Sequence, residues 1–334
     1  MFRKLVTACF AILLGAAAQA NPPETLPEAN ERLFEELRSV HGYDDAVMAR
    51  LRAIFARSGF IGQGNPAITR HPMTPDQCRQ RIPGGVAAYD DERATRICGA
   101  RYMAPLYDPA TQRPEDARAC IDRFEFPNIP CAYPVVWTKA VEAAEICEAV
   151  GKRLCDAHEW EGACAGALGP PDYRFDLAAG APANTAVSRM RAAHNAKYEG
   201  SKTWSYGPEY QSGVCAAASA KSPSCGGGGF NSCGSNTYPA GAFPGCRSAL
   251  GVYDINGNAA EHMNLPLAPD EMASRGSDTL GVTEMKGSWF IFDNYRAHPD
   301  WCRWRAPFWH GSRVRSPSSH ANYHLGFRCC STLD

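Results

Sequence analysis

The sequence has no surplus of either charge: 34 lysines and arginines face 35 aspartates and glutamates. Without a basic excess there is no electrostatic footprint for nucleic acid or for an anionic membrane surface. After residue 20 no apolar run approaches the roughly twenty residues that a membrane-spanning helix needs. No two cysteines stand in Cys-x-x-Cys spacing, which removes the commonest paired zinc ligands. A His-Glu-x-x-His sequence is missing as well. The four glycines of Cys225-Gly-Gly-Gly-Gly-Phe230 lead into no Lys-Ser/Thr, so they form no phosphate loop and read as a tethered, flexible loop. There is no twin-arginine pair at the N-terminus.

What is present starts with an address. Arg3 and Lys4, the apolar Leu5–Leu14 and Ala18-Gln19-Ala20 read as a secretory signal peptide over residues 1–20. Setting aside Cys9, the 15 cysteines fall to 14, an even set that an oxidising compartment turns into disulfides. The expectation is a mature chain in the periplasm or outside the cell, with a helical and proline-rich segment at 21–115 and a larger domain at 116–334.

In the first segment Leu33, Phe34, Leu37 and Val40 recur at helical spacing and end at Gly42. Val47, Leu51, Ile54 and Phe55 repeat the pattern between Asp44, an N-cap residue type, and Gly59. Prolines then dominate residues 60–115. Cys78 and Cys98 staple that stretch, either to each other or to the main domain. The working assignment is Cys78–Cys98, with Cys120–Cys131 closing the next loop. Cys120–Asn128 alternates apolar and polar residues in part, as a half-buried strand does. A helix follows with Thr138 as N-cap and Gly151 as C-cap, and another starts at Asp156, with Glu159 three residues on. These helices put Cys147 and Cys164 on buried faces. Residues 165–246 are loop-rich, and Cys215, Cys225, Cys233 and Cys246 can pair in three ways.

The stretch Gly251–Asn264 gathers Asp254, Asn256, Gly257, Asn258 and Glu261. Calcium takes roughly six to eight oxygens from carboxylates, amides and turn carbonyls, and Asp254, Glu261 and the carbonyls of Gly257 and Ala259 supply about half of such a shell. It is no EF-hand, because Gly257 is fourth and Glu261 eighth counting from Asp254. The plainer reading is an Asn-Gly turn with solvated carboxylates. Near the C-terminus His298, His310, His320 and His324 keep no helical metal spacing. With Arg305 they are candidates for metal, acid–base or anion-binding roles. Trp289, Trp301, Trp304, Phe308 and Trp309 are candidates for a ligand groove or for plain core packing.

Several motifs in order carry a resemblance: Ile121-Asp-Arg-Phe-Glu125, Gly151-Lys-Arg-Leu154, Glu159-Trp-Glu161, Tyr238-Pro-Ala-Gly-Ala-Phe-Pro244, Gly251–Glu261, Lys286-Gly-Ser-Trp289 and Gly326-Phe-Arg-Cys329. Together they resemble the formylglycine-generating enzyme, or sulfatase-modifying factor, family over roughly residues 116–334. The resemblance implies an α+β fold related to C-type lectins, with little regular secondary structure and structural Ca²⁺. It implies one calcium site at Asp254, Gly257, Ala259 and Glu261, and a second near Asn195 and Ala196. It also implies bonds Cys147–Cys329 and Cys164–Cys302, with the additional Cys155 and Cys330 making a neighbouring one.

The activity does not transfer with the motifs. Copper-dependent members carry two cysteines shortly after the motif matched by Lys286–Trp289, where this chain reads Phe290-Ile-Phe-Asp-Asn-Tyr-Arg296. Copper(I) needs thiolates. The iron-dependent branch uses a helical domain with His-x-x-x-His, and residues 21–115 hold only His41 and His71. The expectation is therefore an exported maturation factor or oxidoreductase without copper–cysteine chemistry, its redox metal left open. Its partner would be a protein or small-molecule substrate in the cell envelope. The alternative is a non-catalytic lectin-like module binding a glycan or a protein.

Overall fold

A computed structural model describes residues 24–226, 228–306 and 312–333; the expected signal peptide, Phe308, Trp309 and His310 lie outside them. The chain opens with a helical hairpin, α1 (Leu26–His41) and α2 (Asp45–Ser58). Asp44 caps α2 by accepting from the Val47 N–H, and Gly42 and Gly59 end the two helices in left-handed conformation. Short helices α3 (Pro75–Arg81) and α4 (Glu92–Cys98) lead to strand β1 (Met103–Leu106) and β2 (Ala119–Asp122). Helix α5 (Ala140–Ala149) is capped one residue later than the sequence suggests, at Lys139, whose N–H reaches Glu142 at 2.8 Å. Then come β3 (Arg153–Leu154), α6 (Ala157–Ala165), α7 (Phe175–Ala178) and α8 (Ala183–Tyr198). The last strands are β4 (Ala260–Leu265), β5 (Val282–Lys286), β6 (Leu325–Phe327) and β7 (Cys329–Thr332).

The architecture is mixed α+β with two small sheets. One is antiparallel in the order β1-β2-β7-β3; the other runs β5-β4-β6, with β4 antiparallel to β5 and parallel to β6. The expected division at residue 115 separates no core. Strand β1 pairs with β2 across it, and Leu33, Leu37, Leu51 and Phe55 of the hairpin share one apolar cluster with Ala140, Ala144, Phe327 and Cys329. The hairpin's amphipathic stripe is buried against α5, which is where most of its stability arises.

All fourteen described cysteines are joined in seven disulfides. Cys147–Cys329, Cys155–Cys330 and Cys164–Cys302 tie α5, the residue after β3, and α6 to distant C-terminal segments. The assignment Cys78–Cys98 with Cys120–Cys131 is corrected: the bonds are Cys78–Cys131 and Cys98–Cys120. Helices α3 and α4 pack in different apolar clusters, Cys78 with Tyr89, Phe124 and Cys131, and Cys98 with Met103 and Cys120, so the two cysteines never face each other. The open set resolves as Cys215–Cys246 and Cys225–Cys233. Seven buried or nearly buried bonds belong to an oxidising compartment rather than the cytosol. Among the described residues no helix is long and apolar enough to cross a membrane.

Candidate functional site: two buried charge clusters and an aromatic cleft

The turn before β4 sits at the junction of these elements. Asp254, Gly257 and Asn258 all have positive φ, and a Cβ on Gly257 would lie 2.9 Å from the Ala216 carbonyl oxygen, so glycine is required there. Asn258 Nδ2 and the Ala259 N–H bind the Glu125 carboxylate at 2.9 and 2.8 Å, and the Gly257 N–H donates to Ser288 Oγ at 2.9 Å. The turn thus orders a buried cluster of Glu125, Asp254, Glu261 and Arg328. Arg328 clasps Glu261 through Nη2–Oε1 at 2.6 Å and Nε–Oε2 at 2.7 Å, and Trp160 Nε1 adds a bond of 2.8 Å. Both oxygens of the expected calcium ligand Glu261 are therefore engaged by protein. Asp254 accepts the Gly241 N–H through Oδ2, while its buried Oδ1 has no hydrogen-bond partner. Burial, with Glu261 adding repulsion, pushes Asp254 up to about 7, against the Gly241 N–H and Arg328. Burial, then repulsion from Asp254 and Glu261, pushes Glu125 well above the carboxylate range, against Arg328 and the Ala259 N–H. Three carboxylates share one guanidinium.

A second cluster lies between α6, α8 and β5. Glu161 takes Arg305 Nε at 2.8 Å and Nη2 at 3.1 Å, and Lys286 Nζ at 3.0 Å, all three side chains fully buried. Arg191 Nε binds Glu284 at 2.7 Å, and Asp172 takes exposed Lys197 at 2.8 Å. Burial alone would raise Glu161, but Arg305, Lys286 and His194 hold it well below the carboxylate range. His194 stands between the acids, Nε2 3.4 Å from Glu161 and Nδ1 3.4 Å from Asp172. Burial keeps this imidazole below its ordinary pKa. Glu161, Asp172 and His194 bring ligand atoms within 4.8 Å of one another, close enough for a metal ion. Their charge is already met: Glu161, Asp172 and Glu284 face buried Arg191, Lys286 and Arg305, with Lys197 as a fourth cation. A dication would enter against three buried positive charges.

Arg305 is thus a core residue and does not line the groove where the sequence reading put it. Asn195 spends its side chain on the Arg305 backbone, 2.8 Å from both N and O, and Ala196 is exposed on α8, so the region of the second expected calcium site is organised around Arg305.

Trp289 packs against both His298 and His324. His298 stacks on Trp304 with ring centroids 4.7 Å apart, while His324 stacks on Trp289 at 4.2 Å and His320 lies beside Asn322. Among the described residues the set of three close ligand groups is the one at His194, and none of these histidines belongs to it. His298 instead joins Trp204, Tyr210, Phe292, Arg296, Asp300 and Trp301 around an open cleft of about 420 Å³. Asp300, buried, accepts from Trp204 Nε1 at 2.8 Å and Ser288 Oγ at 2.9 Å, and burial raises its carboxyl. Its carbonyl takes Asn256 Nδ2 at 2.8 Å, which links the cleft to the Asp254 turn. Sequence reasoning flagged Trp301 and His298 but missed Trp204, Tyr210, Phe292, Arg296 and Asp300; the aromatics of the loop-rich stretch were the available signal for the first two.

Comparison with known proteins adds little. No family model matches the chain, and no curated protein matches it. A solved structure titled "Crystal Structure of CarF" aligns over 70% of this chain and 98% of its own, at 12% identity and a TM-score of 0.32, a likeness too slight to carry any argument about fold or function.

Proposed function

We propose that this is an exported protein of the formylglycine-generating-enzyme-like, lectin-related type that recognises an envelope ligand in the aromatic cleft, without copper–thiolate chemistry. One observation carries the reading. The segment Phe290–Arg296, which stands where copper-dependent members keep their cysteines, contributes Phe292 and Arg296 to the cleft wall, and every described cysteine is in a disulfide. A site with rings and no thiolate suits recognition better than copper binding. Among the described residues His298, His320 and His324 belong to no group of three close metal-ligating atoms, which favours the same choice.

Calcium is part of this proposal as a structural ion at the 254–261 turn. The surplus of carboxylate over guanidinium and the partnerless Asp254 Oδ1 support a cation there. Asp254 would hold it through Oδ1, with the carbonyls of Gly257 and Ala259 as the neutral ligands the turn offers; Glu261 stays with Arg328, and Glu125, already accepting from Asn258 and Ala259, adds charge beside it. The test is metal analysis of the mature protein, expressed into an oxidising compartment, together with a count of free thiols. Stoichiometric calcium, no copper and no free thiol is the expected result. Retained copper with two titratable thiols would overturn it.

A further inference from the structure

We propose that the cleft takes an acidic carbohydrate, a sugar ring carrying a carboxylate, with Arg296 as the residue that reads the acid. The proposal rests on the reading of the cleft as the binding site. Arg296 is exposed, and its guanidinium carbon lies 3.9 Å from the Tyr210 ring centroid and 5.6 Å from that of Phe292. Among the described residues the guanidinium donates no hydrogen bond and closes no salt bridge. Stacking therefore orients the planar fork while leaving its N–H donors unspent, which is the arrangement that recognises a carboxylate in two-point fashion.

The plate beneath it is fixed. Tyr210 Oη donates to Asp293, and Asp293 also accepts from Ser212 Oγ at 2.8 Å and the Gly213 N–H at 3.2 Å. Lys202 Nζ lies 6.0 Å from the Trp301 ring centroid, a second positive charge on the cleft wall, though it is paired with Glu199. Four rings line the cleft beside Ala297, His298, Pro299 and Asp300: Trp204 and Tyr210 are half-buried, and Phe292 and Trp301 are buried behind them. A pyranose ring offers an apolar C–H face to the half-buried rings, Trp204 first, while its acid meets Arg296. The cleft volume falls within the range of roughly 300–1,000 Å³ usual for small-molecule sites.

The experiment titrates the mature protein with a trigalacturonate, its methyl ester, and a peptidoglycan disaccharide bearing a lactyl carboxylate, followed by calorimetry. A glutamate-rich peptide serves as the non-sugar acid. Binding of one or both free-acid sugars, at least tenfold tighter than the ester, is expected; which of the two binds better identifies the source. Arg296→Ala should remove at least tenfold of that affinity and the preference over the ester, and Arg296→Lys should restore part of it. Arg296 is exposed and, among the described residues, closes no salt bridge, so both variants should melt close to wild type. Trp204→Ala, with an unchanged far-UV spectrum, should weaken acid and ester alike. Equal binding of acid and ester, or binding of the peptide alone, overturns the acidic-sugar inference while the cleft stands. Sugar binding indifferent to both Trp204→Ala and Arg296→Ala overturns the cleft itself, and no binding of any probe overturns the inference.

Discussion

The two buried clusters use the same residue types and reach opposite electrostatic states. Among the described residues, three carboxylates around Glu161 meet three buried cations and an exposed fourth, and three around Glu125 meet Arg328 alone. Proximity of ligands singles out the first as a metal site, whereas charge balance singles out the second. A buried carboxylate that already has its cation gains little from a metal, and one that lacks it either binds a proton or recruits an ion.

The comparison is sharpest when a cation is removed from the cluster that has only one. Arg328→Met strands three acids and the carbonyls of Asp122, Arg123 and Tyr253, so a loss of about 5 kcal/mol at pH 7.5 is expected from urea unfolding, shrinking as the pH falls towards 5. A loss independent of pH would break the idea that Arg328 serves as a counter-charge. Glu161→Gln leaves Arg305 and Lys286 against a neutral amide and should cost about 3 kcal/mol near neutrality. Because Glu161 is held below the usual carboxylate range, its contribution is present above the unfolded pKa and disappears as pH falls, so the variant should also flatten the acid limb of the stability curve. An unchanged acid limb would show that Glu161 is not the group being titrated.

Asp254 has the reverse sign. Its folded pKa is raised to about 7, so the stability it confers is complete below the unfolded value and is lost as pH rises through neutrality. In calcium-free buffer the protein should be less stable at pH 8 than at pH 5. Calcium at 100 times its dissociation constant should restore about 2.7 kcal/mol at pH 8, and Asp254→Asn should abolish that gain. In calcium-free buffer the same variant should be about 1 kcal/mol more stable than wild type at pH 8, having one surplus charge fewer. A calcium-independent melting temperature at pH 8 would leave Arg328 as the cluster's only cation. The smallest effect belongs to Lys197→Ala, since that side chain is 57% exposed; less than about 1 kcal/mol is expected. A larger loss would mean that the Glu161 cluster is not balanced without its outermost cation.

Much of the local structure was legible. The caps at Asp44, Gly42 and Gly59 act within a few residues of themselves, so spacing suffices to place them. Thr138 was off by one residue because the cap of α5 is completed by Glu142 reaching back to Lys139. The candidate sites were less legible. Glu161 and Lys286 both stood in recognised motifs, yet 125 positions separate them and no pattern announces that they meet. Arg305 looked like a groove residue because an arginine amid tryptophans reads as a ligand-binding group; its side chain turns inward to Glu161 instead. The cysteine exchange among Cys78, Cys98, Cys120 and Cys131 has the same origin, since bonding follows which helix face meets which strand.

The export signature as an expectation, the helical hairpin, an Asn-Gly turn within Gly251–Asn264 and the want of a thiol after Trp289 are legible in residue order alone. These follow from periodicity, glycine and asparagine chemistry, and residue identity. Folding settles which acids share a cation, which cysteines bond, and that Arg296 lies over Tyr210 in the wall of a cleft. Those outcomes depend on side chains far apart in the chain being desolvated together, and the free energy of a buried charge is set by its neighbours in space.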